Sequence, residues 1–186
     1  MITGSSVADN TRPDLPSGEV RAYDARTGAR KWSWDPVPQT KTDPAYSDWR
    51  GPDVHAKTGA ANAWSVISCD AKNDLVFIPA TSPSPDYYGG ERIGQNLYGN
   101  CIVALRASTG KMVWYFQVVH HDLWDYDIAA QPMLIEIEKA GEKIPAVAIG
   151  TKMGHVFILD RATGKSLFPI EERPVPGSTI AGEKTW

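Results

Sequence analysis

Three segments of this chain are variants of one another: VRAYDARTGARKWSW from Val20, IVALRASTGKMVWYF from Ile102 and VFILDRATGKSLFPI from Val156. Each reads as a strand, a turn ending in Thr-Gly, and a second strand. Gly28, Gly110 and Gly164 close the turns, where a backbone with positive φ favours glycine. Trp32 and Trp114 share one position of the repeat, and Phe168 stands there in the third copy. One such glycine and aromatic set per sheet marks a β-propeller blade. No stretch carries a sustained helical period of apolar residues, and short β-rich runs between turn signals fill the chain instead. The repeat therefore predicts an all-β fold.

The strands are predicted at 2–8, 18–24, 29–34, 62–68, 74–80, 100–106, 111–118, 131–138, 144–150, 155–160 and 165–170. Grouped by fours, they give blades at about 62–118 and 131–170, with residues 1–34 forming part of an earlier one. A closed propeller needs about 4–8 blades. Two blades and part of a third make a section of a larger ring, whose open sheet edges would recruit other chains, so self-association is expected.

Successive antiparallel strands place their connections alternately at the two ends of a sheet. The tight turns 25–28, 69–73, 107–110, 139–143 and 161–164 fall at one end. The connections 9–17, 35–61, 81–99, 119–130 and 151–154 fall at the other, and every long one is there. That loop end is the natural binding face. It includes HHDLWDYD, His120 to Asp127, which packs two histidines, three carboxylates and two large aromatics into eight residues between apolar strands. The alternative is a solvated connection whose Trp124 and Tyr126 pack on a neighbour.

Composition narrows the partners. A net charge of −3 gives no electrostatic case for nucleic acid or an anionic membrane surface. No apolar run approaches the ~18 residues of a membrane span, and MITGSSVADN lacks the basic and apolar regions of a signal peptide. Cys69 and Cys101 are read as two buried free thiols in preference to a metal site or a disulfide.

Candidates for chemistry gather on the loop end. A carboxylate of Asp122, Asp125 or Asp127 beside Lys152 would make a general base with an electrostatic partner, although Lys152 could also simply begin the tight Lys-Met-Gly turn. Asp9 and Asn10 carry hard oxygen donors suited to Ca²⁺ or Mg²⁺, although such a pair also begins turns. Trp64 offers either a stacking floor or ordinary core packing. His120 and His121 are adjacent, so their side chains point apart and a shared ion is not expected.

These residues also resemble a known family. HHDLWDYD and then TKMGHVFILDRATG, with VADN, PSGEVRAYDARTG, DAKNDLVFIPA, YYGGER and RPVPG, are similar to the pyrroloquinoline-quinone (PQQ) dehydrogenases, most closely the membrane-bound glucose dehydrogenase type. The resemblance runs nearly end to end. It implies a section of an eight-bladed propeller and oxidation of a sugar or alcohol hydroxyl, glucose-type, with electrons passed to a quinone acceptor. The family's enzymes are periplasmic, and the same location is implied here. By position, Asp125 matches the catalytic base and Lys152 a lysine near the quinone oxygens. Trp64 matches the tryptophan under the PQQ ring. Asp9 with Asn10 matches a ligand to the divalent cation. Ser82 and Ser84 bracket a metal-binding Asn of the alcohol enzymes, which assigns Ser82 to the metal and Ser84 to the cofactor. A hydroxyl there departs from the family pattern. The vicinal disulfide of the alcohol enzymes cannot form, because no two cysteines adjoin. The resemblance leaves this fragment inactive alone. Against it stands a non-catalytic propeller scaffold, which has no need of a base, a lysine and a stacking tryptophan on one face.

Overall fold

The computed structural model describes residues 1–10, 12 and 14–186. Thr11 and Pro13, in the 9–17 connection, lie outside the described residues. The strands form three antiparallel sheets in chain order. The first sheet holds β1 (Ile2–Thr3), β2 (Val20–Tyr23) and β3 (Arg30–Trp34). The second holds β4 (Ser68–Asp70), β5 (Leu75–Pro79), β6 (Cys101–Arg106) and β7 (Met112–Gln117). The third holds β8 (Met133–Lys139), β9 (Glu142–Gly150) and β10 (Val156–Asp160). The only α-helical turn among the described residues, α1 (Val54–Lys57), sits in the 35–61 connection.

The middle sheet is buried on both faces, which explains its unbroken apolar runs. Val76, Ile78, Val103 and Leu105 pack towards Val20, Ala22 and Trp32 of the first sheet. Phe77, Ile102 and Ala104 alternate with them and pack towards Val147, Ile149 and Leu159 of the third.

The repeat aromatic is what joins sheets. Trp32 donates from Nε1 to the Ala107 carbonyl at 3.0 Å, and Trp114 donates to the Arg161 carbonyl at 3.1 Å. Ala107 and Arg161 occupy the same place in successive copies. Each indole also covers the turn glycine: a Cβ on Gly110 would lie 2.7 Å from Trp32, and one on Gly164 would lie 2.6 Å from Trp114. Their φ values of +72° and +71° exclude most side chains independently. The series is open at both ends: nothing lies within 4 Å of a Cβ built on Gly28, and Phe168 is 49% exposed.

Several predicted strands are shorter or missing. Residues 62–67 do not join the sheet as a strand, and β4 starts at Ser68; instead Asn62 accepts from the Thr81 backbone at 2.9 Å. The strand at 2–8 keeps only Ile2 and Thr3. The strand at 165–170 is reduced to a bridge between Leu159 and Ser166. Pro169, without an N–H, cannot continue that ladder. The blade read at 131–170 is therefore three-stranded. Cys69 is exposed, because β4 alternates and turns it outward; Cys101 is buried, and both thiols are free.

Candidate functional site

The antiparallel order puts the connections 81–99, 119–130 and 151–154 at one end of the second and third sheets. The HHDLWDYD loop is shaped by Asp122, which is 1% exposed. Its carboxylate accepts from the backbone N–H of Trp124 at 3.0 Å and of Tyr126 at 2.7 Å, from Asn100 Nδ2 at 3.0 Å, and from the Ser82 hydroxyl. A buried aspartate that caps its own loop in this way is closed to substrate. Asp125, at φ +57°, instead projects from the loop. A non-glycine residue there costs about 1–2 kcal/mol of backbone strain, and such strain clusters at functional sites.

Arg92 locks the neighbouring connection. It is fully buried and donates to the Asp122 carbonyl at 2.6 Å, the Pro85 carbonyl at 3.0 Å and Asn96 Oδ1 at 2.8 Å. Burial pulls its pKa down to about 10, against the charges of Asp122 and Asp86, and it stays cationic at neutral pH. The two histidines part as expected. His120 pairs with Gln117 at 2.6 Å and Glu172 at 3.1 Å, while buried His121 bonds through Nδ1 to the Gly94 carbonyl at 2.7 Å. Burial, then the charge of Arg92, lowers the pKa of His121.

Lys152 reaches across from the 151–154 turn. Its Nζ donates to Asp125 Oδ2 at 3.0 Å and to Asp127 Oδ2 at 3.1 Å. Trp64 Nε1 donates to the same Asp127 oxygen at 3.1 Å, and the indole is 44% exposed, so it is not core. Asp9 joins this group: it lies close to Asp86 and in the field of Asp127 and Lys152, and burial, then the charge of Asp127, raises its pKa. Asn10, beside it, is exposed. Burial raises the pKa of Asp125, with Lys152 pulling the other way and Asp127 adding to the rise. Burial lowers that of Lys152, but its two carboxylates more than offset this and leave it raised.

The structure thus brings Asp125, Lys152, Trp64 and Asp9 together. It treats the serines differently. Ser82 is fully buried, with its hydroxyl given to Asp122 and accepting from Asn100 Nδ2 at 2.9 Å. Ser84 is fully buried and accepts from the Gly59 backbone at 3.2 Å. Asp86, two residues beyond Ser84, carries a buried carboxyl that sequence reasoning missed. It is 2% exposed, and its Oδ1 has no hydrogen-bond partner among the described residues. Burial, then Asp9, Asp125 and Asp127, push it up to about 7.

Residues 1–186 match the PQQ family described as the glucose, ethanol and alcohol dehydrogenase β-propeller domain. The chain belongs to this family. It is 40% identical over 188 residues to quinoprotein glucose dehydrogenase A of Acinetobacter calcoaceticus, covering 100% of this chain and 23% of that protein. It is 40% identical over 186 residues to the quinate/shikimate dehydrogenase (quinone) of Acinetobacter baylyi, covering 99% of this chain and 22% of that protein. The quinohemoprotein alcohol dehydrogenase of Comamonas testosteroni superposes with a TM-score of 0.78 at 29% identity, over 99% of this chain and 29% of that one. The chain spans about a quarter of the length of the curated relatives it matches.

The residues present fit the cofactor that names the family. Trp64 is a half-exposed flat surface fixed at its edge, with an ammonium beside it, suited to a planar anionic ring. For a divalent cation the donor set is hard oxygen, and the orphaned Asp86 Oδ1, close to Asp9, is a donor of the type such an ion takes. Among the described residues no three His, Cys, Asp or Glu side chains form a complete ligand group, so further ligands would have to come from elsewhere.

Proposed function

We propose that this chain is the part of a PQQ-dependent dehydrogenase that carries the base, and that the whole protein oxidises a sugar or alcohol hydroxyl, glucose-type, passing electrons to a quinone. The observation that carries this reading is the Lys152 ammonium held between Asp125 at 3.0 Å and Asp127 at 3.1 Å, beside the open face of Trp64.

Bound PQQ would supply a quinone able to accept a hydride, chemistry no side chain can perform. Trp64 would support its ring, and Lys152 would place a fixed positive charge where negative charge develops. Asp125 would take the proton of the substrate hydroxyl. Its raised pKa makes it a stronger base than an ordinary carboxylate, and its side chain is 27% exposed, so substrate can reach it. Asp9, Asn10 and Asp86 are the side chains that would hold Ca²⁺ or Mg²⁺. Ser82 and Ser84 then support the loop from behind instead of ligating. We also place the protein in the periplasm, as a reading from family alone. The open ends at Gly28 and Phe168 support self-association of this chain when isolated, and inactivity alone, since a ring cofactor draws contacts from other blades.

The test is dye reduction by the full-length protein. With PQQ and Ca²⁺ it should reduce dye on addition of glucose, quinate or glycerol, and not without PQQ. No reduction with any of the three would overturn the reading. The 186-residue chain alone, similarly supplied, should give none and should scatter light as an oligomer.

A further inference from the structure

We infer that Asp127 is a positioning residue: its buried carboxylate holds Lys152 and the edge of Trp64 in one frame, so that the lysine stays in place whichever charge Asp125 carries. The inference deepens the function proposed above and rests on it for its kinetic consequences, but not for its geometry.

Lys152 has two carboxylate partners, and they differ. The side chain of Asp127 is 5% exposed and that of Asp125 is 27% exposed. Asp127 is fixed on both oxygens: Oδ1 accepts from the Ser82 backbone N–H at 2.8 Å, and Oδ2 accepts from Trp64 Nε1 and Lys152 Nζ, each at 3.1 Å. Asp125 accepts from Lys152 at 3.0 Å. A base must gain a proton and lose its charge during the reaction. A lysine tethered only to that base would lose its counter-ion at the same moment and swing towards water, since its long chain is flexible. Asp127 supplies a counter-ion that takes no part in the proton transfer. It also keeps Asp125 basic, because its negative charge opposes ionisation of its neighbour.

The carboxylate also ties three separate connections together. Trp64 precedes β4, Ser82 follows β5, and Lys152 follows β9. A stacking floor and an ammonium fixed to one atom keep a constant spacing, which is what orientation of a planar cofactor requires.

Two measurements on the full-length protein test this. The first needs neither cofactor nor sugar: acetylation of Lys152 by acetic anhydride, followed by peptide mass spectrometry. With Asp127→Asn the ammonium loses its buried counter-ion, and the rate should rise on the order of tenfold, the gain in free amine for one unit of pKa. An unchanged rate overturns the inference. The second is kinetic. Asp127→Asn should lower kcat about 10²-fold, as a small misplacement does, with KM for the sugar unchanged. The acid limb of kcat/KM should move to lower pH, because Asp125 then loses the opposing charge of Asp127 and keeps Lys152, with Asp86 and Tyr87 as the remaining groups around it. Loss through partial unfolding would lower kcat and leave that limb in place, which also overturns it. If Asp127→Asn does not fold, Asp127→Glu keeps the charge and shifts its reach: protected Lys152 with lowered kcat supports the inference, and wild-type kcat overturns it. A protein that oxidises no sugar but shows the acetylation effect sinks the proposed activity and keeps the frame. Sugar oxidation with acetylation indifferent to Asp127→Asn does the reverse.

Discussion

At the turn end of the first sheet, Asp24 accepts hydrogen bonds from the backbone N–H of Thr27 at 3.1 Å and of Arg26 at 3.0 Å, and these hold its carboxyl down at about 2. At the loop end, Asp86 has an oxygen with no partner, faces Asp9, Asp125 and Asp127, and is pushed up to about 7. The same residue type is perturbed in opposite directions at the two ends. Asp160 repeats the first pattern in the third copy, accepting from Thr163 at 2.8 Å and Ala162 at 3.1 Å. Asp24 and Asp160 are answered by donors two or three residues away, within their own copies of the repeat, and Asp70, also at this end, is answered by Arg161 of the third sheet at 3.0 Å. At the loop end, carboxylates from distant connections meet with Lys152 between two of them. Carboxylates left to repel one another are costly, and they persist where a ligand or a reaction uses them.

The comparison breaks most sharply at Asp125. In the full-length protein Asp125→Asn should reduce dye-linked turnover by about 10²–10⁴-fold, the usual loss for a general base, while PQQ affinity measured by fluorescence quenching is retained. Asn keeps the shape and loses the basic oxygen. A variant with wild-type turnover would rule Asp125 out as the base.

The turn end should fail differently. Trp114 is 8% exposed and joins the second sheet to the third. Trp114→Ala should destabilise by about 3–5 kcal/mol, as large aromatic truncations in cores do, seen as a lower urea midpoint. Gly164→Ala should act in the same direction, because it meets both a positive φ of +71° and the Trp114 ring at 2.6 Å. Unchanged midpoints would mean that the sheets are not held by these junctions.

This contrast also explains what could be read in advance. The turn end is local: Asp, Thr-Gly and Trp recur at fixed spacing, so Gly28, Gly110 and Gly164 were legible as turns, and parity then placed Lys152 beside Asp125. Strand ends were less legible, because they depend on partners. Residues 62–67 read as a strand yet turn aside to bond with Thr81, and the 165–170 strand comes down to the one bridge at Ser166, ahead of Pro169. At the loop end the residues were visible but their uses were not. Ser82 and Ser84 look like exposed loop hydroxyls until Asp122 and the Gly59 backbone are found occupying them. Asp86 carries no local signal, since its importance comes from Asp9, Asp125 and Asp127, each distant in sequence. A single arginine, Arg92, within the 81–99 connection was the available hint that charge was being buried there.

A smaller effect sharpens the comparison through pH. In chelator, Asp86→Asn should change stability with a definite sign. The folded carboxyl of Asp86 titrates at about 7, above its ordinary value of 3.8. A raised carboxyl binds its proton more tightly in the folded state. Its contribution is therefore fully present below the ordinary value and lost as pH rises towards 7. The Asn variant lacks that loss. Its melting temperature should gain on wild type as pH rises from about 4 to 7, and a gap that does not change with pH would remove Asp86 from the repelling group.

The smallest effect, and the closing control, is Asp24→Asn. Here the folded carboxyl lies below its ordinary value, at about 2. Its contribution is present above the ordinary value and lost as pH falls through the folded one, the reverse of Asp86. Asn can still accept from Thr27 and Arg26, so what is removed is the charge on those two hydrogen bonds and the exposed ion pair with Lys31 at 3.4 Å. The group is open to solvent, which screens most of that charge. Wild type should therefore melt slightly above the variant at neutral pH, and the gap should close as the medium is acidified. Measured side by side in chelator, Asp86→Asn should gain on wild type with rising pH and Asp24→Asn should fall behind it. Slopes of the same sign would mean that the two ends do not treat aspartate differently and that the folded Asp86 carboxyl is not raised.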